Sequence, residues 1–187
     1  NQYCSDRRKL RQYGKKIRIG FLANNSVHKG FYNLIEVLNL LYKENYDFCL
    51  NIYFSEQGKK TRYVEEHLPY KRNELSDIYD QNDVVVVPSI WKETFGCVVL
   101  EALSFGVPVV ISENVGSKIL LEQSGQPLGK IYGTENKQLY LALKQILSDP
   151  SILSEWNTNI CNANLEFSMM KHVTEMMEKC YGGKYEQ

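Results

Sequence analysis

Two glutamates, Glu93 and Glu101, have the spacing and surroundings expected of residues that do chemistry. Glu101 interrupts an apolar run that extends from Val98 to Leu103, and a charged group there is costly to bury without a partner. Two interpretations are open: the side chain reaches out to solvent along its methylene groups, or it faces a cleft and accepts hydrogen bonds from ligand hydroxyls. Glu93 stands eight residues earlier, just before a predicted helix, where it could contact the same ligand further along.

The spacing of these two glutamates argues against an acid–base pair. Eight helical residues extend over about 12 Å, whereas the paired carboxylates of glycosidases lie roughly 5–9.5 Å apart across one bond. Glu93 is expected in the loop ahead of the helix, so the sequence leaves the true separation open. Two carboxylates along one side of a helix start therefore indicate two contacts to a long ligand.

The residues between the two glutamates indicate a phosphate-binding helix start. Thr94 is the expected N-cap, so Phe95, Gly96 and Cys97 would begin a helix over Phe95–Phe105 with main-chain N–H groups that have no partner in the helix. Such a helix start carries partial positive charge and binds phosphate, and Gly96 lets a ligand approach closely because it has no side chain. A ligand with a sugar, a phosphate and a ribose in a row would satisfy the whole segment.

Alternating strands and helices are predicted to position this segment. The strands lack the polar alternation of a half-exposed sheet, which predicts a parallel sheet with helices on both faces: an α/β, doubly wound, Rossmann-like fold. In such folds ligands bind at the carboxyl ends of the strands. The predicted strands are Ile17–Ala23, Cys49–Phe54, Val84–Val87, Val107–Ile111 and Leu128–Tyr132, and the predicted helices are Phe31–Leu41, Glu74–Tyr79, Phe95–Phe105, Lys137–Ser148, Ser151–Asn164 and Ser168–Cys180.

The loop after the first predicted strand belongs to the same end of the sheet. It runs from Asn24 to Gly30 and opens the first helix, which places Lys29 within reach of a phosphate. A lysine at a helix start is also common as a simple solvent-exposed charge. The residues alone therefore leave Lys29 either as a phosphate ligand or as a surface residue.

Length and composition exclude several classes of protein. A length of 187 residues with 43% hydrophobic content is enough for one core and one domain. The 22 basic and 22 acidic residues cancel, which argues against a nucleic-acid-binding protein. The cysteines are odd in number and form no Cys-x2-Cys pair, which indicates a reducing compartment and no zinc site. No apolar run approaches the roughly 18 residues of a transmembrane helix.

Basic residues are concentrated in the first part of the chain, where only Asp6 opposes them. One interpretation is a solvated linker over residues 1–16 ahead of a ligand-binding domain over residues 17–187. The other is contact with an anionic membrane surface, which stabilises a basic cluster by about 1 kcal/mol per residue. The basic residues are Arg7, Arg8, Lys9, Arg11, Lys15, Lys16 and Arg18.

The motif around the two glutamates resembles that of a known enzyme family. Pro88-Ser89 precedes Glu93-x-Phe95-Gly96-x4-Glu101, and Gly-x-Pro-Val-Val follows from residue 106. This arrangement is similar to the Glu-x7-Glu signature of retaining GT-B glycosyltransferases of the group 1 type. The resemblance is to their C-terminal, nucleotide-sugar-binding domain and extends from about residue 17 to the end of the chain.

The resemblance implies roles for individual residues. Lys29 and the helix start at Phe95-Gly96-Cys97 would neutralise the leaving diphosphate, Glu101 would hold the ribose hydroxyls, and Glu93 the hydroxyls of the transferred sugar. Lys29 and Glu93 are thus the expected catalytic residues. Relatives place an Arg where this chain has Asn24, so one phosphate-binding cation is replaced by a neutral donor. No Asp-x-Asp motif is present, and neither a metal nor a cofactor is expected.

The resemblance also implies partners. We expect a nucleotide-diphosphate sugar as donor and a sugar, lipid-linked or protein acceptor, as in polysaccharide biosynthesis. Since the chain begins at Asn1 rather than Met, an N-terminal acceptor-binding domain is expected to be absent from it, leaving it inactive alone. The expected location is the cytoplasm, with the inner membrane surface as an alternative. Two rival functions stay open: half of a sugar-nucleotide epimerase, and a degenerate domain that only binds nucleotide or a partner.

Overall fold

The computed structural model describes residues 6–54 and 60–165 of the chain. Strands and helices alternate through most of these ranges, as the sequence predicts. The strands are β1 Ile17–Phe21, β2 Phe48–Ile52, β3 Lys60–Thr61, β4 Val64–Glu66, β5 Val84–Val87, β6 Val109–Ser112 and β7 Gly129–Tyr132. The helices are α1 Phe31–Lys43, α2 Leu75–Asp80, α3 Cys97–Ser104, α4 Lys118–Gln123, α5 Asn136–Ser148 and α6 Ser151–Asn162, with 3-10 turns at Val27–Lys29 and Arg72–Glu74.

The strands form one sheet in the order β3-β4-β2-β1-β5-β6-β7. All neighbouring pairs are parallel except β3 and β4, which are antiparallel. The chain builds outward from β1 through β2 to β4, then returns to add β5, β6 and β7 on the other side of β1. The strand order therefore reverses between β1 and β5, and a ligand crevice is expected at the carboxyl ends of these two strands.

The sheet is covered on both faces, which confirms the doubly wound fold predicted from the sequence. Every residue of β5 is buried, and its side chains alternate between two core clusters: Val84 and Val86 on one side, Val85 and Val87 on the other. The first cluster includes the apolar faces of α1 and α5, and the second includes those of α2 and α3. Continuous apolar strands are thus explained by burial on both faces.

Element boundaries differ from the predictions mainly at the ends. The helix predicted over Phe95–Phe105 begins at Cys97 and ends at Ser104. The short pair β3 and β4 was not predicted, because two or three residues are too few for a hydrophobic period to register. The helix α4 was not predicted either. The helix predicted over Ser168–Cys180 lies outside the described residues.

The basic N-terminal segment is attached to the domain. Residues 6–16 form no helix or strand. The guanidinium of Arg8 donates to two main-chain carbonyls at the C-terminal end of α6, and that of Arg11 donates to the carbonyls of Tyr79 at 2.7 Å and Asn82 at 2.9 Å. Helix C-termini carry partial negative charge, so these contacts are favourable. Both arginines therefore have partners within the chain itself.

A membrane-spanning helix was not expected, and within residues 6–54 and 60–165 no helix is long and apolar enough to cross a bilayer.

Candidate functional site

A cavity of about 130 Å³ lies at the carboxyl ends of β1 and β5, where the strand order reverses. Its walls come from the last residues of both strands, including Phe21 and Val87, and from the loops that lead into α1 and α3. Pockets that enclose a whole small molecule measure roughly 300–1,000 Å³. This cavity therefore accommodates only part of an extended ligand.

An ion pair lies at the cavity wall. The ammonium Nζ of Lys29 is 2.9 Å from Oε1 of Glu93, and both side chains line the cavity. The hydroxyl of Ser89, a buried residue just after β5, donates to the same carboxylate oxygen. The sequence assigned Lys29 and Glu93 to separate groups of one ligand, but in this structure the two charges neutralise each other. A negatively charged ligand group at Lys29 competes directly with Glu93.

Close backbone contact between two loops brings this pair together. Gly30 has a left-handed backbone with φ of 72°, and a Cβ at this position would lie 1.8 Å from the carbonyl oxygen of Pro88. Only glycine allows this approach. The main-chain N–H of Ile90 donates to the carbonyl of His28 at 2.9 Å, which ties the same two loops a second time. Lys29 lies between these contacts and is held against the loop that carries Glu93.

Glu93 is fixed from its other side by the loop after β6. Its main-chain N–H donates to the carbonyl of Asn114 at 2.9 Å, and its carbonyl accepts from Gly116 at 3.0 Å. A Cβ on Gly116 would lie 2.1 Å from the carbonyl oxygen of Thr94, so this contact also requires a glycine. These partners are not visible in the sequence, because nothing local to Asn114 or Gly116 indicates which loop they meet.

The start of α3 forms another part of the cavity wall. The prediction of Thr94 as N-cap is wrong: the cap is Gly96, in a left-handed conformation with φ of 82°. The helix therefore begins at Cys97, and Phe95 lies ahead of it. Gly96, Cys97 and Val98 line the cavity. The first N–H groups of a helix have no partner within it, so Cys97 and Val98 carry the donors expected of an anion site.

Glu101 lies in the second turn of α3 and is half-buried. Its Oε2 accepts a hydrogen bond from the hydroxyl of Tyr79 at 3.0 Å. Burial raises the pKa of Glu101, while the Tyr79 hydrogen bond and the charge of Arg72 oppose that rise. Burial, together with the negative charge of Glu101, also raises the pKa of Tyr70 to about 12. Glu101 is therefore a partly buried carboxylate with an internal partner.

The structure brings together only some of the predicted site residues. Lys29, Glu93, Gly96 and Cys97 all line the cavity. Three other predicted residues are not among its lining residues: Asn24, Phe95 and Glu101.

The positions of Asn24 and Phe95 explain this difference. Asn24 is exposed, and its Oδ1 accepts hydrogen bonds from the main-chain N–H and the hydroxyl of Ser26. Its side chain is thus engaged in a local turn. Phe95 packs against the core cluster on the α3 side of the sheet. Asn24 caps its own loop, and Phe95 anchors the segment ahead of α3.

Two further residues at this edge of the sheet, Ser89 and Trp91, have contacts that the sequence did not predict. Ser89 contacts the Glu93 carboxylate, and its position directly after Pro88 at a strand end was the available signal. Trp91 is 68% exposed, and its ring lies 5.5 Å from that of His28, which precedes Lys29.

Across the part of the chain that the structure describes, no group of three or more His, Cys, Asp or Glu side chains is arranged to hold a metal ion.

Comparison with known families shows to which family this sequence belongs. Residues 4–162 match the family described as "Glycosyl transferases group 1". The chain belongs to this family. The match extends over the cavity, the Lys29–Glu93 pair and Glu101, and it confirms the family named from the motif.

Individual relatives and structures agree with this assignment. The D-inositol 3-phosphate glycosyltransferase of Rhodococcus opacus is 35% identical over 86 residues, which cover 46% of this chain and 19% of the relative. An uncharacterised 41.2 kDa protein in the cps region of Klebsiella pneumoniae is 34% identical over 107 residues, covering 55% of this chain and 29% of the relative. The chain therefore matches only a minor part of the length of these relatives.

Two solved structures share the fold. WaaG, a glycosyltransferase involved in lipopolysaccharide biosynthesis, superimposes with a TM-score of 0.69 at 18% identity, covering 91% of this chain and 48% of WaaG. HepE of Anabaena, solved in complex with UDP and glucose, gives a TM-score of 0.68 at 20% identity, covering 90% of this chain and 49% of HepE. The chain thus corresponds to a Rossmann-like domain that covers about half the length of each of these two proteins.

Proposed function

We propose that this chain is the donor-binding half of a retaining glycosyltransferase that uses a nucleotide-diphosphate sugar. The observation that supports this most directly is the Lys29–Glu93 ion pair on the wall of a cavity that also contains the start of α3. The cavity lies at the strand ends where doubly wound folds bind their ligands. HepE, which shares the fold, is described in complex with UDP and glucose.

Donor binding in this proposal exchanges the partners of Lys29. The diphosphate takes the place of Glu93 beside the ammonium, and the first N–H groups of α3, on Cys97 and Val98, donate to the phosphate oxygens. As the bond from sugar to diphosphate breaks, negative charge grows on the leaving group, and these fixed positive groups stabilise it. Glu93 is released to accept hydrogen bonds from the hydroxyls of the transferred sugar.

Glu101 is proposed to hold the ribose. It follows Cys97 by four residues, so both side chains lie on the same face of α3, about 6 Å apart along the axis. Ribose is joined directly to the diphosphate, so a group one helical turn beyond the phosphate site is correctly spaced to meet its hydroxyls. The half-buried carboxylate is a stronger acceptor than a solvated one because less water competes for it.

The reaction requires an acceptor as well. We propose a sugar, lipid-linked or protein acceptor whose hydroxyl enters from a part of the enzyme other than this chain, so that the chain binds donor but transfers little by itself. Lys29 and the helix start supply the positive field, so the proposal requires neither a metal ion nor a cofactor. Cytoplasmic location, with contact to the inner membrane surface as the alternative, belongs to the same proposal.

One observation favours a second candidate function, a degenerate domain that binds nucleotide without catalysing transfer. Asn24 occupies the place of an expected phosphate-binding cation, and its side chain is engaged with Ser26 outside the cavity wall. The epimerase half, also left open by the sequence, has no comparable observation in its favour.

Binding of nucleoside diphosphates to Lys29→Met tests the proposal. Isothermal titration with UDP, ADP and GDP should give binding to the parent chain and a loss of roughly tenfold or more in the variant, because a charge-assisted contact to phosphate is removed. Excess chelator should leave the parent affinity unchanged. Lys130→Met removes an exposed lysine of β7 and serves as the control. Equal affinities in the two variants, or strict dependence on magnesium or manganese, would contradict the proposed site.

A further inference from the structure

Tyr79 is a buried residue that has no part in the donor binding proposed above. It lies in α2, its side chain is fully buried, and its hydroxyl donates to Oε2 of Glu101 at 3.0 Å. The same hydroxyl also lies 3.5 Å from the carbonyl oxygen of Val98. A buried hydroxyl needs a partner, and here its short hydrogen bond is to a carboxylate of the proposed donor site.

The tyrosine ring is held in place at several points. It stacks on the ring of Phe105 with a centroid distance of 5.0 Å and an interplanar angle of 14°. Phe105 follows directly after α3 and lies four residues beyond Glu101, so Tyr79 contacts the same side of the helix twice. At its backbone, the carbonyl of Tyr79 accepts from the guanidinium of Arg11 at 2.7 Å. The hydroxyl therefore meets Glu101 from a fixed direction.

We propose that Tyr79 is a positioning residue that fixes the Glu101 carboxylate for the ribose hydroxyls of the donor. With Oε2 engaged by the tyrosine, the side chain keeps one orientation, and the second oxygen is left to accept hydrogen bonds from the ligand. A free glutamate side chain loses rotational freedom when it binds, and this loss weakens binding. A carboxylate already held by Tyr79 avoids most of it. The inference rests on the proposed function, since it assigns Tyr79 through the role given to Glu101.

A second consequence concerns the pKa of Glu101, which depends on the charged and titratable groups around it. They are Tyr79 from α2, Arg72 from the turn before α2, and Tyr70 from the segment after β4. Burial raises the pKa of Glu101, and the hydrogen bond from Tyr79 is the larger of the two effects that lower it. Removing the tyrosine hydroxyl should therefore raise the pKa of Glu101 further. Loss of ligand binding on acidification should then begin at a higher pH than in the parent.

The test compares Tyr79→Phe with Tyr63→Phe. Tyr63 is also buried, and its hydroxyl donates to Oδ1 of Asn39 at 3.0 Å, but it belongs to the core cluster on the opposite face of the sheet. Each variant is titrated with the best-binding of UDP, ADP and GDP and with the 2′,3′-dideoxy analogue of that nucleotide. Tyr79→Phe should lose roughly 5- to 10-fold in affinity for the ribonucleotide and little for the dideoxy analogue. Tyr63→Phe should affect neither.

The pH dependence gives a readout that a purely structural role would not change. Carboxyl ¹³C NMR follows the titration of Glu101 in the parent and both variants, and Glu101→Gln assigns the signal. The expected result is a higher pKa of Glu101 in Tyr79→Phe alone. An unchanged pKa, or equal loss of affinity for the ribonucleotide and its dideoxy analogue, would overturn the assignment of Tyr79.

The same experiments separate this inference from the proposed function. If the parent binds none of the three nucleotides, the proposed function fails, and the NMR titration still decides whether Tyr79 controls Glu101. If the parent binds ribonucleotide and dideoxy analogue equally, the ribose role of Glu101 is wrong and the positioning role falls with it. If the parent and Tyr63→Phe bind the ribonucleotide more tightly than its dideoxy analogue and Tyr79→Phe does not, both proposals are supported.

Discussion

The ion pair between Lys29 and Glu93 leads to a prediction that is opposite to the usual effect of removing a site residue. The ammonium lies 2.9 Å from the carboxylate, and Ser89 donates its hydroxyl to the same oxygen. A diphosphate must draw Lys29 away from Glu93, which also repels the incoming charge. Glu93→Gln removes this competition and nearly preserves the shape of the side chain. We expect the variant to bind UDP more tightly than the parent.

The size of the effect follows from the exposure of the pair. The side chains of Lys29 and Glu93 are 30% and 17% exposed, so solvent screens their interaction in part. A partly exposed pair of this kind is worth about 1 kcal/mol, or roughly fivefold in affinity for UDP. The gain should shrink as salt is added, because screening weakens the competition that the variant removes. The extra affinity of a UDP-sugar over UDP should fall, since Glu93 is the proposed acceptor for sugar hydroxyls.

Isothermal titration calorimetry at low and high salt measures these effects. Glu44→Gln is a matched control, because Glu44 forms a similar ion pair with Lys144 at 2.8 Å, between α5 and the residue after α1. The control should leave the affinity for UDP unchanged. Weaker binding of UDP by Glu93→Gln than by the parent would refute the competition between the carboxylate and the diphosphate.

Three other positions near the cavity give predictions of their own. Asn24→Arg should tighten UDP binding by about 1 kcal/mol at low salt and less at high salt; titrations that show no gain at either salt would favour the degenerate binder. Gly30→Ala should destabilise the fold by at least about 2 kcal/mol in thermal unfolding, because its Cβ would collide with Pro88. The control is Gly125→Ala: Gly125 has a φ of 69° and open space around it, so its substitution should destabilise the fold by only about 1 kcal/mol. Equal destabilisation by the two variants would contradict the close contact between Gly30 and Pro88. Alkylation of Cys97, which is exposed on the cavity wall, should be slowed by UDP when peptide mass spectrometry follows it, and labelling at an unchanged rate would place the nucleotide elsewhere.

Hydrophobic pattern alone determined the fold class of this protein. The run Val84–Val87 has no polar alternation, and a strand can carry four consecutive apolar side chains at low cost only if both faces are buried. Helical spacing of apolar residues between such strands then requires helices on both faces of the sheet. Both properties are local in sequence, and the structure confirmed them.

The start of α3 could not be read from local preferences. Thr94 has the better capping side chain, but the helix begins after Gly96. The main-chain N–H of Ser117 donates to the carbonyl of Phe95 at 2.6 Å, and a Cβ on Gly96 would lie 2.7 Å from the side chain of Val115. Contacts with a distant loop thus fix the backbone at this point. A weak local preference for a cap is overcome by such contacts.

The same distinction applies to the candidate site. The sequence marked Lys29, Glu93 and Glu101 as charged residues at predicted helix starts or within an apolar run. A charge in an apolar run is costly to bury without a partner. Their partners were decided by the tertiary structure: Lys29 meets Glu93 through contact between two loops, and Tyr79 reaches Glu101 from a neighbouring helix. Periodicity records which face of an element is buried, but not which loops meet at the end of a sheet. That depends on the strand order, which places β1 beside β5 and brings residues far apart in the chain into contact.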